Sequence, residues 1–245
     1  MISRGDIIIS TDGKKIGQIN GLTVIATGDA TFGHPVRITA NTFIGKNGVV
    51  NIEREVSMSG TTHSKGVYIL SAYIGEKYAQ DIPLSLTASI CFEQLYNGVD
   101  GDSASSTELY AILSSLASVP IKQNLAVTGS VNQKGEIQPI GGVSEKIEGF
   151  FKVCKIKGLN KENGVIIPIQ NVKNLTLSDE VLEAIENGDF HIYPISTVDE
   201  GIELLTGVEA GEMDENGNYK ENTINYLVQE KLKKYAKKSL EFSKE

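Results

Sequence analysis

The stretch that decides the fold opens with Asp100-Gly101-Asp102-Ser103-Ala104-Ser105. It leaves a glycine turn at Gly98-Val99 and runs into Leu109, Ile112, Leu113, Leu116 and Ala117. These apolar residues recur at i, i+3, i+4, i+7 and i+8, which predicts a helix, and Pro120 closes it. Further on, Asn124–Val131 and Glu136–Ile140 read as a hairpin around Asn132-Gln133-Lys134-Gly135. Gly141-Gly142 leads into a second helix, whose stripe is Val143, Ile147, Phe150, Phe151 and Cys154. Gly164–Pro168 reads as a short buried strand, Asp179–Glu186 as a helix, Phe190–Pro194 as a strand and Val198–Leu205 as a helix. Strands alternating with helices predict an α/β (α+β) domain.

Toward the N-terminus the pattern is β-rich. Asp6–Ser10, Lys15–Ala26, Val36–Thr39 and Gly48–Ile52 carry apolar and β-branched residues between Gly, Asp and Asn turns. A helix is predicted over Ser64–Ala79, with Val67, Leu70, Ile74 and Tyr78 on one side, and a strand over Leu84–Phe92. After Thr206-Gly207 the chain turns polar, and then Ile224, Leu227, Val228, Leu232 and Tyr235 fall at helical spacing among lysines and glutamates. The expected division is therefore one domain over residues 1–206 and a polar linker with an amphipathic helix over 207–245. That helix has two possible docking places, its own domain or a partner.

Composition narrows the function classes. The chain has 245 residues and a formal net charge of −8, which argues against a nucleic-acid binder working through a basic surface. No apolar run reaches the ~18–20 residues that span a bilayer. The first residues carry no export signal, so a cytoplasmic protein is expected. Two cysteines, Cys91 and Cys154, are too few for a disulfide framework or a cysteine-based zinc site, and read as reduced core thiols. The three histidines, His34, His63 and His191, lack metal-ligand spacing. No metal is expected.

Ser103 is the candidate nucleophile. A serine in a glycine turn before a helix projects its hydroxyl, and the N-terminal N–H groups can stabilise an oxyanion. Capping alone also accounts for Asp and Ser there. A serine needs a base, and Lys146 is the candidate. It lies in the first turn of the helix that begins near Val143, at the edge of the apolar stripe. Desolvation and the positive end of the helix dipole both disfavour the ammonium form. A snorkelling surface lysine fits the same position.

Taken together, Asp100–Ser105, Ala126-Val127-Thr128-Gly129-Ser130, Gly135-Glu136 and Pro139-Ile140-Gly141-Gly142-Val143-Ser144-Glu145-Lys146 resemble the successive motifs of the Lon protease proteolytic domain. The resemblance is to its LonB-type and Lon-like branch. It continues through Gly164–Pro168 and Val198-Asp199-Glu200, is clear from about Leu84 to Leu205, and reaches back to an entry strand over Lys15–Gly28. It implies the Lon proteolytic fold, which is related to the second domain of a small-subunit ribosomal protein. It also implies a Ser-Lys dyad, placed on Ser103 and Lys146.

Three supporting positions follow from the same resemblance. Thr128 matches a threonine that helps hold the lysine, and equally fits a strand threonine. Asp100 matches an acidic position near the dyad. There it would raise the lysine pKa, orient the lysine, keep a resting state or simply form the turn. Asp102 offers either backbone for an oxyanion hole or a charge at the helix N-terminus.

The implied activity is that of a serine endopeptidase acting on unfolded or damaged protein, with homo-oligomers, in the family six-membered rings, as the expected assembly. Leu84–Phe92 is a candidate strand for pairing with an extended substrate. No Gly-x-x-x-x-Gly-Lys-[Ser/Thr] phosphate loop occurs, so no cofactor is expected in this chain, and ATP would act only through an ATPase module absent from it. The start on a β-strand reads as that of a domain excised from a longer protein. No nucleic acid or membrane partner is expected. The alternative is a non-catalytic Lon-like scaffold or oligomerisation module.

Overall fold

A computed structural model describes residues 2–28 and 30–242. The chain runs β1 (Lys14–Lys15), β2 (Gln18–Thr27), β3 (Ala30–Ile44), β4 (Gly48–Asn51), α1 (Ile52–Glu55), α2 (Thr61–Tyr78), β5 (Leu86–Glu93) and α3 (Ser105–Ala117). It continues through β6 (Ile121–Lys122), β7 (Leu125–Val127), β8 (Ser130–Val131), β9 (Ile137–Gln138), α4 (Val143–Lys157), β10 (Gly164–Pro168), α5 (Asp179–Glu186), β11 (His191–Ile195), α6 (Val198–Thr206) and α7 (Ile224–Phe242). Seven strands form one mixed sheet in the order β11-β10-β7-β2-β3-β5-β4. The β2–β3 and β3–β5 pairs are antiparallel, and the other neighbours are parallel. The predicted α/β class is observed.

Successive strand residues point to opposite faces, and the sheet uses both. Ile166, Leu125, Val127, Ile19 and Ile38 join one core with α2, α3, α6 and α7. Val165, Ile167, Ala126 and Leu22 join a second core with Val143, Ile147, Phe150 and Phe151 of α4 and Val181 and Ala184 of α5. This explains why Gly164–Pro168 is buried along its whole length and shows no alternation. Helix α3 is likewise buried on nearly every side, from Ser105 to Ala117. The terminal helix α7 lays Ile224, Val228, Leu232 and Tyr235 into the first core.

Several elements differ from the sequence reading. Asp6–Ser10 is no strand. Its backbone is held by a side chain instead, Ile8 N–H donating to Gln94 Oε1 at 2.8 Å. The strand predicted over Val36–Thr39 is β3, fifteen residues long. Pro35 lies inside this strand where β5 does not reach, and a proline is tolerated at such an edge. The hairpin predicted from Asn124 is paired only at its tip, Ser130–Val131 with Ile137–Gln138, because Leu125–Val127 pairs with β2 and β10. Leu86–Glu93 lies between β3 and β4, so it offers no free edge to a substrate strand.

Candidate active site

The glycine turn delivers Ser103 just ahead of α3. Its carbonyl accepts Gly129 N–H at 2.8 Å and the Thr128 hydroxyl at 3.3 Å, fixing the turn to the segment that follows β7. Thr128 N–H donates to Ile166 O at 3.1 Å, so the anchor is an extension of the sheet itself.

Lys146 arrives from the other side. Gly142, in a left-handed conformation (φ 66°), caps α4, and Lys146 N–H closes the first helical bond to Gly142 O at 3.1 Å. Helix α4 presses so closely on β3 that a Cβ on Gly33 would run into Glu145 O and the Lys146 Cα, and one on Gly149 would strike Gly33. These two glycines let the backbones meet and seat Lys146 at the sheet.

The two side chains converge. Lys146 Nζ lies 2.8 Å from Ser103 Oγ and 3.0 Å from Thr128 Oγ1. The Thr128 hydroxyl proton goes to Ser103 O, so its oxygen accepts a Lys146 N–H. In the neutral amine this orientation leaves the nitrogen lone pair for the Ser103 hydroxyl. Lys146 and Thr128 are buried (3% and 1% exposed), whereas Ser103 is half-buried and lines a cleft of about 600 Å³. Burial pulls the Lys146 pKa from its usual 10.5 down to about 8, against the opposing pull of the Asp102 and Glu145 carboxylates.

The other predicted residues take separate places. Asp102 accepts the Ser130 hydroxyl at 3.0 Å and acts on Lys146 only through its charge. Asp100 is exposed at the border of the same cleft, its Oδ1 accepting Gly101 N–H at 2.8 Å and His63 N–H at 3.3 Å. These backbone donors hold its carboxyl below the usual range. Both cysteines are free. Cys154 is buried and Cys91 half-buried, and burial pushes both thiols up to about 12, away from the reactive thiolate. Among the described residues no group of three or more His, Cys, Asp or Glu stands ready to hold a metal ion, and no helix is long and apolar enough to cross a membrane.

Two features escaped the sequence reading. Beyond Asn20 and Gly21, where it pairs with β7, β2 has no strand partner on that side among the described residues, and its residues Leu22–Ala26 line the cleft with Ser103 and Lys146. A buried pair, His63 and Glu108, lies next to the Ser103 turn, with His63 Nε2 3.0 Å from Glu108 Oε1. One signal for it was present: Glu108 is the only charged residue in an otherwise apolar and hydroxyl-bearing helix.

Comparison with known proteins gives this chain a set of relatives. Residues 94–207 match the family model described as Lon protease (S16) C-terminal proteolytic domain. A "Putative Lon protease homolog" of Escherichia coli is 43% identical over 206 residues, covering 83% of this chain and 35% of that protein. The protein of the same name from Haemophilus influenzae is 39% identical over 92% of this chain and 38% of its own length. An "Archaeal Lon protease" of Thermococcus kodakarensis is 34% identical over 80% of this chain and 28% of its own length. The chain thus spans about a third of the curated relatives it matches. On the matched motifs and the mixed α/β fold that carries them, the chain belongs to the family of Lon protease (S16) proteolytic domains.

Proposed function

We propose that this chain is a serine endopeptidase in which Ser103 is the nucleophile and Lys146 the general base. The observation that carries the reading is the 2.8 Å approach of a desolvated lysine amine to a serine hydroxyl that lines a cleft. Neutral Lys146 takes the Ser103 proton as Oγ attacks the peptide carbonyl. The ammonium so formed gives that proton to the leaving amine as the C–N bond breaks, leaving an acyl ester on Ser103. Water, losing its proton to the same amine, then attacks the ester and releases the carboxylic acid. Thr128 orients the amine throughout. The dipole of α3 favours negative charge developing near its N-terminal end.

Unfolded polypeptide is the substrate class this site favours. The unpaired side of β2 at Leu22–Ala26 borders the cleft and can add an extended peptide as a further strand beside Ser103. A folded protein has few free strands of that kind, so cleavage of folded substrates needs prior unfolding. In this reading an ATPase module outside these 245 residues supplies that work, and self-association into a ring encloses the sites. The scaffold alternative does not require the amine and hydroxyl to meet.

The test is hydrolysis of an unfolded protein substrate by the purified chain and its Ser103→Ala variant. Cleavage by the first and none by the second is expected, with circular dichroism unchanged. Retained cleavage in the variant rejects the assignment.

A further inference from the structure

Beside the turn that carries Ser103 lies a set of buried polar groups that the dyad chemistry does not use. His63, in the first turn of α2, is fully buried, and its ring stands edge-on to Phe92 with centroids 5.2 Å apart. Its Nε2 is 3.0 Å from Glu108 Oε1 and its Nδ1 2.9 Å from Ser59 Oγ. Glu108 is fully buried too, and its Oε2 has no partner among the described residues. Asn51 Nδ2 donates to Glu108 Oε1 at 3.4 Å and to Glu53 Oε2 at 3.2 Å. Two buried carboxylates and one imidazole in such a space are costly unless they hold one another.

The link to the reaction centre runs through His63. Helix α2 is capped by Gly60, which has no side chain to receive the first N–H groups. Asp100 fills that place from across the fold, accepting His63 N–H at 3.3 Å and packing so closely that a Cβ on Gly60 would collide with it. Asp100 lies three residues before Ser103, and Glu108 five residues after it. One residue therefore grips the nucleophile segment at both ends, its backbone N–H on Asp100 and its imidazole on Glu108.

We propose that His63 is a positioning residue that clamps the 100–108 segment and thereby holds Ser103 Oγ within reach of Lys146. This rests on the reading of Ser103 and Lys146 as the dyad. The clamp makes no hydrogen bond to the amine, and of its members only Asp100 borders the cleft, so its loss is expected to act on the turnover step more than on substrate binding. It also gives Asp100 a role distinct from a direct charge on Lys146.

Steady-state hydrolysis of a fluorogenic peptide by the full chain tests this, with four variants and melting temperature recorded for each. Asp100→Ala, an exposed change, is expected to lower kcat roughly tenfold or more with KM nearly unchanged. Asp100→Asn, whose amide oxygen still accepts the His63 N–H, recovers most of that loss. His63→Leu/Glu108→Leu replaces the buried pair by apolar side chains, so it is expected to keep its melting temperature yet lose kcat to a similar extent. Full kcat in Asp100→Ala, or in a folded double-leucine variant, overturns the clamp. Asp100→Asn as impaired as Asp100→Ala, with a shifted pH profile, overturns it in favour of a direct charge effect. Should the double-leucine variant fail to fold, the two Asp100 variants decide alone. Ser103→Ala is the control: cleavage that survives it rejects the dyad itself, whereas Ser103-dependent cleavage with an intact Asp100→Ala kcat rejects only the clamp.

Discussion

Lys146 and His63 are both buried cations-to-be next to the same turn, and they are treated in opposite ways. Lys146 meets two hydroxyls and no carboxylate within ion-pair distance among the described residues, so burial dominates and its pKa falls to about 8. His63 is also penalised by burial, but its contact with Glu108 at 3.0 Å raises its pKa, and burial raises the Glu108 carboxyl as well, so the pair keeps a proton between them. The same desolvation therefore gives a base in one case and a held proton in the other, and the deciding factor is whether a carboxylate is in contact. One site is set to exchange a proton, the other to keep two helices together.

The largest effect that would break this contrast is at Lys146. Lys146→Met removes the base while leaving a flexible apolar chain in an apolar place. We expect kcat/KM to fall by about 10³-fold or more, with the melting temperature unchanged or raised. A variant that stays active shows that the amine is not the base. The mirror-image change is His63→Leu alone, which strands Glu108 in the interior. It is expected to cost about 3–5 kcal/mol of stability by denaturant unfolding. An unchanged midpoint would show that the pair is not holding the helices.

Two smaller effects sharpen it. Thr128→Val removes the hydroxyl that accepts a Lys146 N–H, and should lower kcat by about tenfold, measured at saturating peptide. The wild-type kcat/KM should rise with pH through about 8, because only the neutral amine accepts the serine proton. The Asp102 carboxylate favours the ammonium form, so Asp102→Asn should move that ascending limb to lower pH. A limb that stays in place removes Asp102 from the electrostatics of the site.

Ser103 and Lys146 were legible in the sequence because each stands in a dense local motif, a glycine turn before a helix and a Gly-Gly helix start. Thr128, the third member of the contact, was named beside them. Their meeting was legible only as what the family resemblance implies, since physically it depends on Gly33 and Gly149 letting α4 press onto β3. The alternating strands and helices gave the class correctly, because period-2 and period-3.6 burial are local properties. Strand neighbours are not: the free side of β2 and the enclosed position of β5 follow from a seven-strand order that no short window contains. The long-range tie between His63 and Glu108, 45 residues apart in sequence, was hidden for the same reason. Asp100 shows the limit from the other direction. Its carboxylate borders the cleft, as its place near Ser103 suggests, and it also accepts a backbone N–H at the N-terminus of α2, which no short window shows.

The chemistry turns on whether a neutral Lys146 activates Ser103. The most direct test of this is the rate at which a fluorophosphonate probe labels the intact chain across pH 6 to 10, with the adduct located by mass spectrometry. A single adduct is expected on the peptide containing Ser103, formed at a rate that rises through a midpoint of about 8, with no adduct in Ser103→Ala. No adduct at any pH, or one that persists in Ser103→Ala, would contradict it.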